Sequence, residues 1–147
     1  MGRRMAGNAI GFEQLDRQIR RPPFHQWLNL SLSGLDEEGI EITLPWRPEL
    51  VVNTERGYTH GGILATLIDI AADCAVAARI GRGVPTVDMR VDYHRVALQG
   101  DLKAKARVLK LGRTFASAEA FIYNAAGELC ASGRGVFYVA EAVTPPA

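Results

Sequence analysis

The chain has 147 residues, of which 48% are hydrophobic, and this length and apolar content are sufficient for one compact domain with a real core. Its formal net charge of +1 gives no electrostatic case for nucleic-acid binding. Two cysteines, Cys74 and Cys130, are too few and too far apart for a disulfide scaffold or a zinc site. No signal peptide is evident, because no apolar stretch follows the basic residues at the start of the sequence. No membrane span is evident either, because Asp69 and Asp73 interrupt the longest apolar run. We therefore expect a soluble cytoplasmic protein.

The first predicted element is a short amphipathic helix over residues 12–21, which carries three apolar side chains at helical spacing: Phe12, Leu15 and Ile19. Two prolines end it. The apolar cluster that follows is predicted to form a lid packed on the core: Phe24, Trp27 and Leu28. Over residues 30–46, apolar and polar residues alternate on both sides of a polar turn, which predicts a β-hairpin. A loop over residues 47–59 comes next.

One long helix is predicted over residues 61–80, because apolar side chains cover most of its circumference, as in a buried helix. Two glycines and Pro85 end it. The rest of the sequence alternates like strands and is divided by turns at residues 100–101, 112–113 and 124–127. Two strands, a buried helix and four long strands predict an α+β fold, with a curved antiparallel sheet wrapped around one long central helix.

The candidate site lies at the start of this long helix. Gly61 and Gly62 let a ligand approach the backbone closely, and a helix N-terminus offers free N–H donors with partial positive charge. Asp69 lies further along the same apolar helix, where a carboxylate costs desolvation energy. This combination predicts a site where backbone amides polarise a carbonyl and a carboxylate assists the attack on it.

The spacing of the two groups restricts the mechanism. Asp69 lies eight residues after Gly61, which at ~1.5 Å per residue places them roughly 12 Å apart along one helix. A reacting carbonyl must lie within about 3 Å of its donor and close to its attacking group. If both groups are catalytic, they therefore come from antiparallel helices of two copies, and the site belongs to a homodimer.

Several motifs, including the two groups just described, lie within residues 22–138. They are Asn53, His60-Gly61-Gly62, Asp69, Thr86-Val87-Asp88, Tyr93-His94-Arg95, Gly100-Asp101-Leu102, Leu111-Gly112-Arg113 and Gly127-Glu128-Leu129. On these residues the sequence resembles the hotdog-fold acyl-CoA thioesterases, specifically the phenylacetate-degradation (PaaI-like) family. The resemblance implies one hotdog domain over residues 1–147 with a core at about 22–140. It also implies an acyl-CoA substrate and a homo-oligomer, either a dimer or a dimer of dimers. No metal or redox cofactor is implied, since coenzyme A is part of the substrate.

The resemblance also implies roles for individual residues. Asp69 would be the general base that activates water, or a nucleophile, and the Gly61 amide would stabilise the oxyanion. Asn53 would position the carbonyl or the water, Thr86 would place a hydroxyl near that water, and His60 would shape the pocket. Further candidate substrate-binding residues in the same motifs are Gly62, Asp88 and Tyr93.

For each of these residues a purely structural role remains an alternative to a role in catalysis. Asp69 is alternatively a buried acid satisfied by backbone groups, and His60 a helix-entry and packing residue. Thr86 is alternatively a strand-starting residue, and Asn53 a turn residue. Asp73 lies one turn after Asp69 on the same helix face, where like charges repel. We expect Asp73 to find a cation or a solvent channel, or to raise the pKa of Asp69.

Arg95, Lys110 and Arg113 lie at predicted strand ends or turns, where they are either solvated or in contact with the phosphates of coenzyme A. The favoured function is hydrolysis of a short-chain, medium-chain or aromatic acyl-CoA to the acid and free coenzyme A. Two alternatives remain. One is a hotdog hydratase or dehydratase, for which His60 is the only candidate histidine in place, and the other is a non-catalytic acyl-CoA-binding module.

Overall fold

The computed structural model describes residues 7–141. Its helices are α1 (Phe12–Arg20), α2 (Pro23–Leu28) and α3 (Gly61–Ile80), with a short 3-10 helix at Pro48–Leu50. Its strands are β1 (Ser31–Leu35), β2 (Ile40–Leu44), β3 (Val51–Asn53), β4 (Tyr58–Thr59), β5 (Thr86–Tyr93), β6 (Leu102–Leu111), β7 (Phe115–Tyr123) and β8 (Leu129–Tyr138). The predicted long helix has the expected bounds, and the hairpin and the four later strands are confirmed.

Six strands form one antiparallel sheet in the order β1-β2-β6-β7-β8-β5, and β3 pairs with β4 in a separate hairpin. Helix α3 packs against β2, β5, β6, β7 and β8. The predicted α+β arrangement of an antiparallel sheet around one long helix is therefore confirmed. Among the strands of residues 7–141, β5 lies at the edge of the sheet and pairs only with β8.

Small residues on the sheet let α3 approach it closely. The inward positions of β6 and β7 carry fully or almost fully buried alanines: Ala104, Ala106, Ala116, Ala118 and Ala120. On β8, a Cβ atom added to Gly133 would lie 2.8 Å from Cγ2 of Ile68 and would also overlap the carbonyl of Arg90. Since Ile68 directly precedes Asp69, this close approach fixes the part of the helix that carries the candidate acid.

The N-terminal helix is confirmed as α1, with Leu15 and Ile19 buried. The predicted lid is wrong for Phe24 and Trp27. The second proline starts a further helix, α2, as proline does at a first helical position. Phe24 and Trp27, three residues apart, share its outward face and are 49% and 48% exposed. The Arg47 guanidinium lies 3.9 Å above the Trp27 ring, while Leu28 is buried in the core.

Strand β5 also differs from its predicted alternation. A register shift against β8 falls between Thr86 and Asp88, and the exposed Val87 lies within it, while Met89 and Val91 further along the strand are partly buried. A bulge of this kind places two residues of one strand opposite a single partner, which a simple two-residue period does not predict. None of the helices within residues 7–141 has the length and apolar character needed to cross a membrane.

Candidate active site

The first turn of α3 is held by side chains on both of its sides. His60 is the N-cap residue, and its Nδ1 accepts a hydrogen bond from the Gly62 amide at 2.8 Å. The Tyr93 hydroxyl, at the end of β5, donates to the Gly61 carbonyl at 2.8 Å. Within residues 7–141 the Gly61 amide itself donates to no protein acceptor, so it is free to bind a ligand oxygen. We call His60, Gly61, Gly62 and Tyr93 the amide half.

Asp69 and Thr86 form a second constellation, which we call the acid half. The Thr86 hydroxyl, on the first residue of β5, donates to Asp69 Oδ1 at 2.6 Å. The Asp69 residue is partly exposed despite its apolar helix, so a water molecule or a substrate has access to it. A carboxylate oriented by one hydroxyl donor, with its other oxygen available, is suited to accept a proton from water.

Strand β5 spans the distance between the two halves. Its first residue, Thr86, contacts Asp69, and its last residue, Tyr93, contacts Gly61. Strand β5 and helix α3 therefore run in opposite directions, and each half lies at one end of the strand. Within one chain the two halves are separated as the helix spacing predicted, because Gly61 and Asp69 lie on one continuous helix.

Asp73 meets a backbone amide instead of a cation. Its Oδ1 accepts a hydrogen bond from the Val84 amide at 3.1 Å, and no ion pair to it is found between residues 7 and 141. Burial raises the pKa of Asp73 to about 6; the Val84 hydrogen bond opposes this rise, and the charge of Asp69 adds to it. The sequence predicted a raised pKa at Asp69, whereas the rise found here is at Asp73 and comes mainly from burial, with the like charge of Asp69 as a smaller cause.

Asn53 lies in a turn, which is the structural interpretation given for it above. Its Oδ1 accepts from the Arg56 amide at 2.9 Å, and its carbonyl accepts from the Gly57 amide at 2.7 Å. The side-chain oxygen is thus used in closing the β3–β4 turn. Within residues 7–141 the Asn53 side chain forms no hydrogen bond to another candidate residue, and a role in positioning a substrate stays a prediction.

The candidate phosphate-binding cations are divided between the ends of the sheet. Lys110 and Arg113 line one open cleft of about 350 Å³ beside the β6–β7 turn, together with Val136. Asp88, another candidate substrate-binding residue, lies opposite Val136 across the β5–β8 pair. Lys110, Arg113 and Asp88 therefore lie at the same end of the sheet as the acid half. Arg95 lies beyond the other end of β5, where its guanidinium pairs with Glu128 at 3.0 Å.

No group of three or more His, Cys, Asp or Glu side chains within residues 7–141 is arranged to hold a metal ion. The candidate catalytic groups are the Gly61 amide, the Asp69 carboxylate and the Thr86 hydroxyl. Groups of these types can serve as an oxyanion donor, a base and a hydrogen bond that orients the base, which is the set that acyl transfer to water requires.

Comparison with known proteins identifies the family. Residues 56–131 match the profile of the Thioesterase superfamily. The chain belongs to this superfamily. The crystal structure of another thioesterase-superfamily protein is 47% identical, with a TM-score of 0.85, and the match covers 87% of this chain and 97% of that one. Thioesterase-superfamily membership and this similarity establish the hotdog fold that the sequence predicted.

Two named enzymes are also similar to this thioesterase-superfamily chain. Medium/long-chain acyl-CoA thioesterase YigI of Escherichia coli is 25% identical over 133 residues, which cover 80% of this chain and 85% of that protein. Acyl-coenzyme A thioesterase 13 of Homo sapiens is 40% identical over 82 residues, covering 53% of this chain and 58% of that protein. This chain is accordingly an enzyme that hydrolyses thioesters.

Proposed function

We propose that this enzyme hydrolyses a short-chain, medium-chain or aromatic acyl-CoA at a site shared by two copies of the chain. The acid half of one copy and the amide half of the other would act on one thioester. The superfamily assignment supports the thioesterase chemistry, and the motifs quoted above support a PaaI-like, single-domain enzyme. The named relatives are themselves acyl-CoA thioesterases, which supports coenzyme A as the thiol.

The edge position of β5 supports the shared site. An unpaired strand edge is a template for pairing with another chain, and one edge of β5 is unpaired within the part of the chain that the structure describes. If two copies of β5 pair antiparallel about a two-fold axis, the first residue of one strand meets the last residue of the other. Thr86 beside Asp69 would then approach Tyr93 beside Gly61 of the second copy. This pairing supplies both halves of the site twice in each homodimer, and two homodimers would assemble into the tetramer.

The proposed reaction proceeds by acyl transfer to water. Asp69 removes a proton from a water molecule whose oxygen forms a bond to the thioester carbon, and the carbonyl electron pair moves onto oxygen. The Gly61 amide of the second copy stabilises this oxyanion. When the carbonyl re-forms, the carbon–sulfur bond breaks, and the coenzyme A thiolate takes the proton from Asp69. Direct attack by the Asp69 carboxylate, followed by hydrolysis of the anhydride, would use the same groups.

The state of His60 favours hydrolysis over the hydratase alternative. A hydratase of this fold would need an imidazole that exchanges a proton with the acyl chain, and His60 is the only candidate. Its Nδ1 already accepts a hydrogen bond from the Gly62 amide, so this ring nitrogen is engaged with the backbone of α3. Hydration of an enoyl thioester without thiol release would overturn this preference.

The decisive experiment removes one donor atom from Gly61. Gly61 is the first residue of α3, where proline is well tolerated, and His60 has φ −57° and ψ 132°, a conformation compatible with a following proline. Gly61→Pro therefore deletes the amide hydrogen with little change in the helix. Gly61→Ala is the matched control, because its Cβ would meet the Tyr93 ring at an ordinary contact distance of 3.5 Å and the amide is retained.

Thiol release from a panel of acyl-CoAs should fall by about 100-fold or more in Gly61→Pro, as expected for loss of an oxyanion donor, and much less in Gly61→Ala. Asp69→Asn should also be inactive. In dimers assembled from equal amounts of Gly61→Pro and Asp69→Asn chains, random pairing makes half of the dimers mixed, with one intact site each. About one quarter of the parent activity should therefore return. No recovery on mixing, or a fully active monomer, would contradict the shared site.

A further inference from the structure

Hydrogen bonds in the first turn of α3 hold the backbone next to the Gly61 amide, which is the proposed oxyanion donor. The peptide unit between Gly61 and Gly62 is held at both of its polar groups. Its N–H donates to His60 Nδ1 at 2.8 Å, and its carbonyl accepts from the Tyr93 hydroxyl at 2.8 Å. The preceding residue is fixed as well, since the His60 amide donates to the Leu50 carbonyl at 2.8 Å.

We infer that Tyr93 is a positioning residue for the Gly61 amide, and that it acts together with His60 as a two-sided clamp on the Gly61–Gly62 peptide. This inference rests on the proposed function, because it concerns the donor for the thioester oxygen. The Gly61 N–H belongs to the His60–Gly61 peptide, whose carbonyl accepts a hydrogen bond from the Ile63 amide at 2.9 Å. On its other side the donor is followed by two glycines, which have the least conformational restriction of all residues, so that side can move unless other groups hold it. Oxyanion stabilisation depends on a donor that is oriented before the reaction begins.

The clamp also includes a packing contact. The position of a Cβ atom on Gly61 lies 3.5 Å from three atoms of the Tyr93 side chain: Cε1, Cζ and Oη. The ring therefore covers one side of Gly61, and the hydroxyl binds its carbonyl. Tyr93 is 55% exposed and the amide half is at the molecular surface, so this contact contributes to the geometry of the donor more than to the core. A substrate-binding role, as first assigned to Tyr93, would instead require its hydroxyl to contact substrate.

The kinetic test uses Tyr93→Phe, which retains the ring and removes only the hydroxyl. We expect kcat for thiol release to fall about tenfold with KM changed by less than about twofold, because misplaced donors weaken transition-state binding and leave ground-state binding intact. Tyr123→Phe is the matched control, since this residue lies on the outer face of β7 beside Lys105, and its kcat should equal that of the parent. A raised KM with an unchanged kcat in Tyr93→Phe would overturn the inference and assign Tyr93 to substrate binding.

The His60 side of the clamp has its own pair of variants. Asparagine is a good N-cap residue and alanine is a poor one, so His60→Asn should retain much more activity than His60→Ala. Equal loss in both variants would show that the imidazole acts on the substrate, and the clamp would be wrong. Hydrogen exchange of the Gly62 amide gives a readout without substrate, and it should be faster in His60→Ala and in Tyr93→Phe than in the parent.

These outcomes separate the inference from the proposed function. A parent enzyme that releases no thiol from any acyl-CoA would refute the proposed function, and hydrogen exchange at Gly62 would still test the clamp. An active parent that requires Asp69, in which Tyr93→Phe behaves like Tyr123→Phe in both kinetics and exchange, would refute the clamp alone.

Discussion

The Thr86 hydroxyl donates a 2.6 Å hydrogen bond to Asp69 Oδ1 and thereby joins the first residue of β5 to the middle of α3. The bond fixes the rotation of the carboxylate and occupies one of its oxygens. A carboxylate that is held in this way has its second oxygen available for the water molecule of the proposed reaction. The acid half thus depends on a contact between two elements as well as on Asp69 itself.

Replacing the Thr86 hydroxyl should therefore reduce turnover. Thr86→Val has nearly the same shape without the donor, and we expect kcat to fall by up to about 100-fold because the carboxylate is misplaced. Thr86→Ser retains a hydroxyl and should keep most of the activity. The measurement is thiol release at saturating acyl-CoA, with urea unfolding to show that both variants are folded. Equal activities of the two variants would mean that the hydroxyl has no part in catalysis.

Substituting Asp73 should change the dependence of stability on pH. Its pKa is raised from 3.8 to about 6 in the folded chain, so between these values the native state binds more protons than the unfolded state. As the pH rises through that window, the contribution of Asp73 to the free energy of unfolding therefore falls, by roughly 3 kcal/mol in total. Asp73→Asn retains an acceptor for the Val84 amide, carries no charge and should be more stable than the parent at pH 7.5.

The measurement is urea unfolding of parent and Asp73→Asn at pH 4 and pH 7.5, at one protein concentration because association adds to stability. The difference between the two proteins should be larger at the higher pH. A variant that is less stable than the parent at pH 7.5 would contradict the raised pKa. The same two proteins test the coupling to catalysis, since a pH–rate profile identical in both would show that Asp73 does not influence Asp69.

Adding a methyl group to Gly133 should separate α3 from β8. The new Cβ would lie 2.8 Å from Ile68 Cγ2 and would overlap the Arg90 carbonyl, and overpacking of this kind costs typically about 1–3 kcal/mol. Activity should fall together with stability, because a shift of Ile68 would also displace Asp69, the next residue of the helix. Arg134→Ala, at the next, exposed position of β8, is the control and should change the free energy of unfolding by no more than about 0.5 kcal/mol. A fully stable and active Gly133→Ala enzyme would contradict the close helix–sheet contact.

The cleft that contains Lys110 and Arg113 should matter only for substrates that carry phosphates. Exposed ion pairs contribute up to about 1 kcal/mol each, so the Lys110→Gln/Arg113→Gln variant should raise KM for acyl-CoA by up to roughly 30-fold. KM for the corresponding N-acetylcysteamine thioester, which lacks the nucleotide, should not change. Lys103→Gln is the control, since Lys103 pairs with Glu41 at 3.4 Å. Equal effects on both substrates would place the phosphates elsewhere.

The sequence alone was sufficient for the elements and for the candidate groups of the site. Apolar periodicity and the glycines at its end predicted the bounds of α3, because these signals act within a few residues of the chain. The spacing of Gly61 and Asp69 along that helix was equally sufficient to separate the two groups. Both predictions depend only on local geometry, which the residues themselves determine.

Tertiary structure decided which side chains meet. Thr86 and Asp69 are 17 residues apart, Tyr93 and Gly61 are 32 residues apart, and both contacts depend on how β5 aligns with α3. A bulge at Val87 changes this alignment, and the alternation of apolar and polar residues does not predict that bulge. The outward orientation of Phe24 and Trp27 was missed for a related reason: hydrophobicity indicates that a side chain favours burial, but only the packing of neighbouring elements determines which face is covered.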